Sequence, residues 1–110
     1  MPSQCIRVKL KPGKTEEFLA WAGDLTERID EVKEALISEG MQAELMMLER
    51  TAEADFVLLY TKAEDLGKAN ELFQNSNLRI DSEAKEIMAK TWDFESITVV
   101  ECLLEVLSLR

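Results

Sequence analysis

The chain begins with a segment in which apolar and polar residues alternate. Over residues 4–11, Ile6, Val8 and Leu10 fall on one side of an extended chain. The opposite side carries Cys5, Arg7, Lys9 and Lys11. A period of two predicts a half-buried strand, and Pro12 with Gly13 is expected to end it.

The period then changes to that of a helix. Apolar residues recur at alternating spacings of four and three, at Phe18, Ala22, Leu25, Ile29, Val32 and Leu36. Thr15 is a suitable N-cap, and the carboxylates of Glu16 and Glu17 suit the positive end of a helix dipole. We therefore expect one long amphipathic helix that ends at Gly40.

The second half of the chain contains two short apolar runs, residues 43–50 and 55–62, joined by the polar residues 51–54. This pattern predicts a hairpin in which both strands are apolar on both faces. A helix is expected to begin at Glu64 and Asp65, and a further short helix at Asp81. In the first of these two helices, the apolar residues that recur at helical spacing are Leu66, Ala69, Leu72 and Phe73.

The last predicted element is a strand over residues 97–108. Along it, Val100, Cys102, Leu104 and Val106 alternate with Val99, Glu101, Leu103 and Glu105. The first set is predicted to face the core, and the acidic set is predicted to face away from it. Cys5 and Cys102 would then lie on neighbouring strands but on opposite faces, so two free thiols are expected rather than a disulfide.

The predicted order of elements is that of a ferredoxin-like α+β fold, βαββαβ, with an extra short helix before the last strand. Its four-stranded antiparallel sheet has the order 4-1-3-2, with all helices on one face, in a single domain over residues 1–110. The other face would expose the second sides of the hairpin strands together with Val99, Leu103 and Leu107. Because that apolar area is patch-sized, we expect two sheets to pack face to face in a homodimer, a dimeric α/β barrel.

Composition narrows the classes of function. The chain has 13 Lys and Arg against 22 Asp and Glu, a net charge of -9, which disfavours nucleic acid and membrane-surface partners. It has no His, which excludes Ser-His-Asp and Cys-His catalysis and proximal-His haem binding. There is no signal-peptide pattern and no apolar run near ~18 residues, so a cytoplasmic location is expected.

Charged residues at two places have alternative interpretations. Arg7 and Lys9 are predicted to face Glu101 and Glu105 on the sheet face remote from the helices, either as ion pairs that set strand register or as a polar site between subunits. The acidic face of the long helix has like charges at helical spacing and no accompanying His. We therefore interpret it as a solvated face and predict no metal site.

Aromatic residues indicate a candidate ligand cleft between helices and sheet. Trp21 and Trp92 lie at the edges of predicted apolar stripes, and they could be joined by Met46, Met47, Tyr60, Phe73 and Met88. Such side chains are typical of an apolar small-molecule pocket, but they could equally fill a core. The candidate ligand-binding residues are Trp21, Arg28, Tyr60, Phe73 and Trp92.

Several short segments, taken in their order, carry a resemblance to a known group. They are Leu10-Lys11-Pro12-Gly13-Lys14, Glu17, Trp21, Arg28, Asp30-Glu31, Leu48-Glu49-Arg50, Tyr60, Lys62-Ala63-Glu64-Asp65, Ile80-Asp81 and Trp92. With them the chain resembles small uncharacterised bacterial proteins of the dimeric α/β-barrel superfamily. The resemblance implies a ferredoxin-like subunit whose sheets associate into a dimer. Known members include cofactor-free quinol monooxygenases and haem-degrading oxygenases, and the haem sites of the latter require a His that is missing here.

Three functional hypotheses follow. The first is a cytoplasmic homodimer of unassigned activity that binds a small apolar or aromatic molecule between helices and sheet. The second is a cofactor-independent monooxygenase or isomerase for a phenolic or quinol-like substrate, in which Tyr60, Arg28 and Trp92 polarise or stack on the substrate. The third is a structural or regulatory partner protein with a filled core and no ligand. None of the three requires a cofactor.

Overall fold

A computed structural model describes residues 2–106 and Ser108. Four strands and four helices follow one another along this part of the chain. In chain order they are β1 (Ser3–Leu10), α1 (Thr15–Thr26), α2 (Ile29–Ser38), β2 (Met41–Arg50), β3 (Asp55–Ala63), α3 (Leu66–Gln74), α4 (Arg79–Thr91) and β4 (Trp92–Val100).

The strands form one antiparallel sheet with the order β2-β3-β1-β4. Read from the other edge this is the predicted order 4-1-3-2, and the ferredoxin-like α+β fold is confirmed. The faces of β1 are also as predicted, since Val8 and Leu10 are buried against the helices while Lys9 between them is exposed. Gly13, with a φ of 77°, makes the left-handed turn that follows β1.

The prediction of one long helix up to Gly40 was wrong, because the helix is broken between α1 and α2. The amides of Glu27 and Arg28 donate to the carbonyls of Asp24 and Leu25, three residues back, at 3.1 and 3.0 Å. The Thr26 hydroxyl donates to the Gly23 carbonyl at 2.7 Å, a local bond that competes with the regular helix. Periodicity did not reveal the break because apolar residues keep their spacing on both sides of it.

The last strand begins earlier than predicted and follows α4 without a loop. β4 covers Trp92–Val100, so Trp92 is the first residue of a strand and the predicted strand over residues 97–108 was wrong in its bounds. Arg7 and Lys9 of β1 lie opposite Thr98 and Asp93, so β4 contains extra residues between them. At this β-bulge the Ser96 hydroxyl accepts a hydrogen bond from the Lys9 amide at 2.8 Å.

This bulge reverses the predicted faces at the end of β4. Val99 lies opposite Ile6 and therefore faces the helices, whereas Val100 lies opposite Cys5 and faces the other side. The argument that placed Cys5 and Cys102 on opposite faces fails, since Cys102 lies beyond the strand. Both cysteines are nevertheless free thiols. Of the three residues expected on the remote face, Val99 is on the helix side, Leu103 lies beyond the end of β4, and Leu107 lies outside the described residues.

The packed core occupies one end of the space between helices and sheet. It is formed by Val8, Leu10, Phe18, Val57 and Trp92, each at most 3% exposed. The ring of Phe18 contacts both tryptophans, with centroids 5.6 Å from Trp21 and 6.3 Å from Trp92. We call this cluster the packed end.

The remote face of the sheet is apolar at β2 and β3, as the two-sided pattern of those strands predicted. Leu45 and Met47 of β2 are 56% and 48% exposed there. The Arg7 guanidinium stacks 3.6 Å from the centroid of the Phe56 ring and pairs with Glu49 at 2.8 Å. The expected pairing of Arg7 with Glu101 or Glu105 was therefore wrong, because Glu49 on β2 is the partner.

Candidate active site in the helix–sheet cavity

A cavity of about 310 Å³ lies beside the packed end, between the helices and the sheet. All eight elements contribute to its lining. Much of its wall is apolar, including Leu36, Met46, Phe73 and Met88. A volume of this size falls at the lower end of the range typical of small-molecule sites.

Four buried side-chain atoms have no hydrogen-bond partner among the described residues, and all four belong to side chains that line this cavity. They are Nε1 of Trp21, Nε1 of Trp92, Oε2 of Glu39 and Oδ2 of Asp81. An unsatisfied buried polar group costs about 1–3 kcal/mol, so native proteins contain few of them. These four atoms are therefore concentrated in the walls of one cavity.

The two carboxyl groups reach the cavity from different helices. Glu39 directly follows α2 and is 3% exposed, with its amide donating to Ala35 and Leu36 carbonyls at 3.1 and 3.2 Å. Asp81 lies in the first turn of α4 and is 5% exposed. Asp81 therefore lies at the positive end of the α4 dipole, whereas Glu39 lies at the negative end of the α2 dipole.

The electrostatics of the pair favour a proton on Glu39. Loss of hydration, then a hydrogen bond with Asp81, then the charges of Asp81 and Glu44 raise the pKa of Glu39 to about 8, and Lys85 opposes them only weakly. Desolvation and the charge of Asp81 also raise the pKa of Glu44, which lines the same cavity. Near neutral pH the cavity therefore contains at least one protonated carboxyl group among acidic neighbours.

Three of the five candidate ligand-binding residues lie at this cavity. Trp21 of α1, Phe73 of α3 and Trp92 of β4 all line it. Trp92 also belongs to the packed end, so it serves both alternatives that the sequence left open, pocket wall and core.

Arg28 is not among the residues that line the cavity. Its guanidinium lies at the break between α1 and α2 and pairs with Asp24, Glu31 and Glu83 at 2.9, 2.9 and 2.7 Å. These hydrogen bonds raise the pKa of Arg28 further above its ordinary value. Arg28 therefore links α1 and α2 to α4 and has its charge already compensated.

Tyr60 lies on the opposite face of the sheet from the cavity. It is paired with Cys5 in the β1–β3 register, and its hydroxyl donates to Glu105 at 2.7 Å. Lys62 donates to the same carboxylate at 2.8 Å, and these two hydrogen bonds, Lys62 first, lower the pKa of Glu105. Met47 lies on the same face of the sheet as Tyr60. Neither Tyr60 nor Met47 therefore belongs to the predicted cleft.

Glu39 and Asp81 were not among the sequence candidates, although a signal existed. Glu39 follows Leu36 by three residues and therefore continues the apolar stripe. Asp81 precedes Ala84 by three and Met88 by seven, so it lies on the apolar side of its helix. An acidic residue at an apolar position of a helix is the pattern that could have identified the pair.

Two classes of site are not found in the part of the chain that the structure describes. No group of three or more His, Cys, Asp or Glu side chains there is arranged to hold a metal ion. None of the helices between residues 15 and 91 combines the length and apolar content needed to cross a membrane.

Comparison with known proteins identifies the family and supports the fold. A solved structure of tetracenomycin F2 cyclase from Streptomyces glaucescens, a type-II polyketide cyclase, is similar with a TM-score of 0.57 and 14% identity, over 96% of this chain and 99% of that chain. This likeness supports the ferredoxin-like α+β fold. No curated protein matches the sequence. The model of a family of unknown function, DUF6176, matches residues 1–108, and the chain therefore belongs to that family.

Proposed function

We propose that this protein binds a small aromatic molecule bearing a ketone and a hydroxyl group in the helix–sheet cavity. The observation that carries the proposal is the set of four unpartnered polar atoms on side chains that line one largely apolar cavity. A ligand of this class would satisfy those atoms and cover the aromatic walls at the same time. A purely apolar ligand would leave all four unsatisfied.

The two kinds of polar group select different ligand atoms. Each indole N–H is a donor only, so Trp21 and Trp92 suit carbonyl or phenolate oxygens. The carboxyl pair of Glu39 and Asp81 suits a hydroxyl or an acidic C–H group. Phe73 and the indole rings offer faces for stacking. The named activity of the similar structure, polyketide cyclisation, involves molecules of the same chemical class, which agrees with this selection.

Binding can be tested through the fluorescence of the two tryptophans, which are the only ones in the chain. The probe is a hydroxynaphthyl methyl ketone, and the matched control is naphthalene, which has the same rings without oxygen. We expect saturable quenching by the ketone and much weaker binding of naphthalene. Equal affinity for the two compounds, or no saturation by the ketone, would contradict the proposal.

A variant pair assigns the binding to the cavity. Ala84 is 8% exposed and lines the cavity, so Ala84→Leu should remove volume there and weaken ketone binding at least tenfold. Ile37 on α2 is 78% exposed and is not among the lining residues, so Ile37→Ala should bind as the wild type does. If Ala84→Leu binds the ketone unchanged, the ligand does not occupy this cavity.

The proposal includes a homodimer formed through the remote faces of two sheets. Support comes from the exposed Leu45 and Met47 on that face, from Val100 at 39% exposure, and from the resemblance to dimeric α/β-barrel proteins. Leu45→Glu should shift the protein to a monomer in analytical ultracentrifugation. Ile37→Glu, an equally polar change at a more exposed residue outside that face, should leave the dimer intact. A monomeric wild type would contradict this part of the proposal.

The proposed location is the cytoplasm. Two free thiols, on Cys5 and Cys102, are typical of a reducing compartment. Titration of thiols in freshly lysed cells should find both reduced, and a mixed or intermolecular disulfide would argue for another compartment.

A further inference from the structure

We infer that Glu39 and Asp81 form a proton-transfer pair that enolises a ketone bound in the cavity. The pair would make the protein an isomerase for hydroxylated aromatic ketones. This inference rests on the proposed function, because it requires a ketone at the cavity, and it adds the catalytic groups and the class of reaction.

The geometry supports the inference through burial and orientation. Glu39 comes from the end of α2 and Asp81 from the start of α4, and Asp81 lies near enough to raise the pKa of Glu39. Both are at least nine-tenths buried, and each keeps one oxygen free of any partner among the described residues. Both side chains line the cavity that the two indole N–H groups also line. Side chains that carry two carboxyl groups and two indole donors therefore line the same cavity.

The charged groups around the pair keep one proton on it. Glu44 of β2 and Asp81 of α4 add negative charge near Glu39, and Lys85 of α4 is the cation that acts against them. The Lys85 ammonium is engaged elsewhere, since it donates to the carbonyls of Gln74 and Ser76 at 3.1 and 3.0 Å. Two carboxyls that share one proton supply a general acid and a general base in the same place.

The reaction step balances without any further reactant. The unprotonated carboxylate removes a proton from the carbon next to the ketone, and the electrons of that C–H bond form a carbon–carbon double bond. The carbonyl electrons move to oxygen, where an indole N–H donates a hydrogen bond or the protonated carboxyl supplies a proton. Return of a proton to the same carbon regenerates the ketone with its hydrogen exchanged, and delivery to another carbon of a conjugated enolate gives an isomer. Positioned acid–base groups contribute roughly 10²–10⁴-fold in rate.

Exchange in heavy water tests the step directly. The probe is the hydroxynaphthyl methyl ketone, and proton NMR follows the loss of its methyl signal as deuterium enters. We expect the protein to accelerate the exchange over buffer. Asp81→Asn and Glu39→Gln should each lower the rate roughly 100-fold. Glu34→Gln is the matched control, because Glu34 is an exposed acid on α2, the helix that Glu39 directly follows.

The pH profile of the wild type provides a second test that needs no variant. Exchange should pass through a maximum, because the pair works only with one proton, and the high-pH limb should fall near pH 8, where Glu39 loses its proton. A rate that rises steadily with hydroxide would overturn the inference. This measurement also decides the question if a variant fails to fold.

The outcomes separate the inference from the proposed function. Saturable binding of the ketone with no accelerated exchange, or with exchange unchanged in both variants, overturns the proton-transfer pair and leaves the binding function standing. Failure of the ketone to bind overturns the proposed function, and the inference with it. The proton-transfer pair is supported if the ketone binds, the wild type accelerates the exchange, and both variants lose that rate.

Discussion

The two ends of the space between helices and sheet differ in how completely they are filled. At the packed end, the side chains of Val8, Phe18 and Val57 are apolar and at most 2% exposed, and only Trp92 brings a polar side-chain atom to the cluster. At the other end, the same layer of helices encloses a cavity of about 310 Å³ with four unpartnered polar atoms at its wall. The packed end stabilises the fold, while the cavity end retains polarity and volume at a cost in stability. Such a cost is typical of functional sites rather than of cores.

The largest expected effect comes from removing the side chain that joins the two ends. Trp92 belongs to the packed core and also lines the cavity. Trp92→Ala should lower the free energy of unfolding by about 3–5 kcal/mol. Phe94→Ala, two residues later on the same strand and 53% exposed, should lower it much less. Urea denaturation measures both losses of stability. Equal losses would contradict the placement of Trp92 in both the packed end and the cavity wall.

The cavity end should also make stability depend on pH, with a sign opposite to that of a normal surface acid. The pKa of Glu39 is raised from 4.5 to about 8 in the folded protein. Between those values the folded state binds more protons than the unfolded state, so the free energy of unfolding falls as pH rises. The fall should level off above about pH 8, where the folded protein also loses this proton.

The variant Glu39→Gln isolates this contribution. It should be more stable than the wild type near pH 8, and most of the decline between about pH 5 and 8 should disappear. Glu34→Gln, on the exposed face of α2, should keep the decline of the wild type. Denaturation curves of the three proteins at several pH values check this, and a decline that persists in Glu39→Gln would assign it to another group.

Added volume should be tolerated at one end and not at the other. Val8 is fully buried in the packed end, so Val8→Leu should cost about 1–3 kcal/mol through overpacking. Ala84 borders the cavity, so Ala84→Val should cost less than about 1 kcal/mol. Thermal unfolding of the two variants compares them. A larger loss for Ala84→Val would mean that the cavity end is as tightly packed as the core.

The smallest effect concerns the ion pairs that hold the helices over both ends. Arg28 pairs with Asp24, Glu31 and Glu83, but the carboxylates of this network are 32–56% exposed. Arg28→Leu should therefore lower stability by less than any change above, and the loss should shrink in high salt. Unfolding at low and high ionic strength measures it. A loss unaffected by salt would indicate that packing of the Arg28 stem, rather than its charge, is responsible.

Local pattern predicted the fold well because the change of period along the chain separates strands from helices and because the two faces of β1 differ in chemistry. The pattern could not decide the face of Tyr60, since β3 is apolar on both sides and only its register with β1 settles the matter. It could not foresee the bulge at Ser96, which reversed Val99 and Val100. Such errors arise where tertiary pairing, rather than periodicity, determines the position of a side chain.

The candidate site was predictable in its aromatic part and not in its acidic part. Trp21, Phe73 and Trp92 lie where apolar stripes converge, so helical spacing brought them together. Arg28 was misjudged because its partner Glu83 is 55 residues away, and no local pattern predicts such a pair. Glu39 and Asp81 were missed because acids near helix ends usually act as caps or solvated charges.

Because every helix and strand contributes to the cavity lining, no single segment contains the site. Exchange of one loop or one helix between relatives could not transplant its ligand preference intact. Within such an architecture, selectivity would diversify by individual substitutions scattered along the chain, each altering one wall. Laboratory evolution of this cavity should therefore use dispersed point libraries rather than segment shuffling.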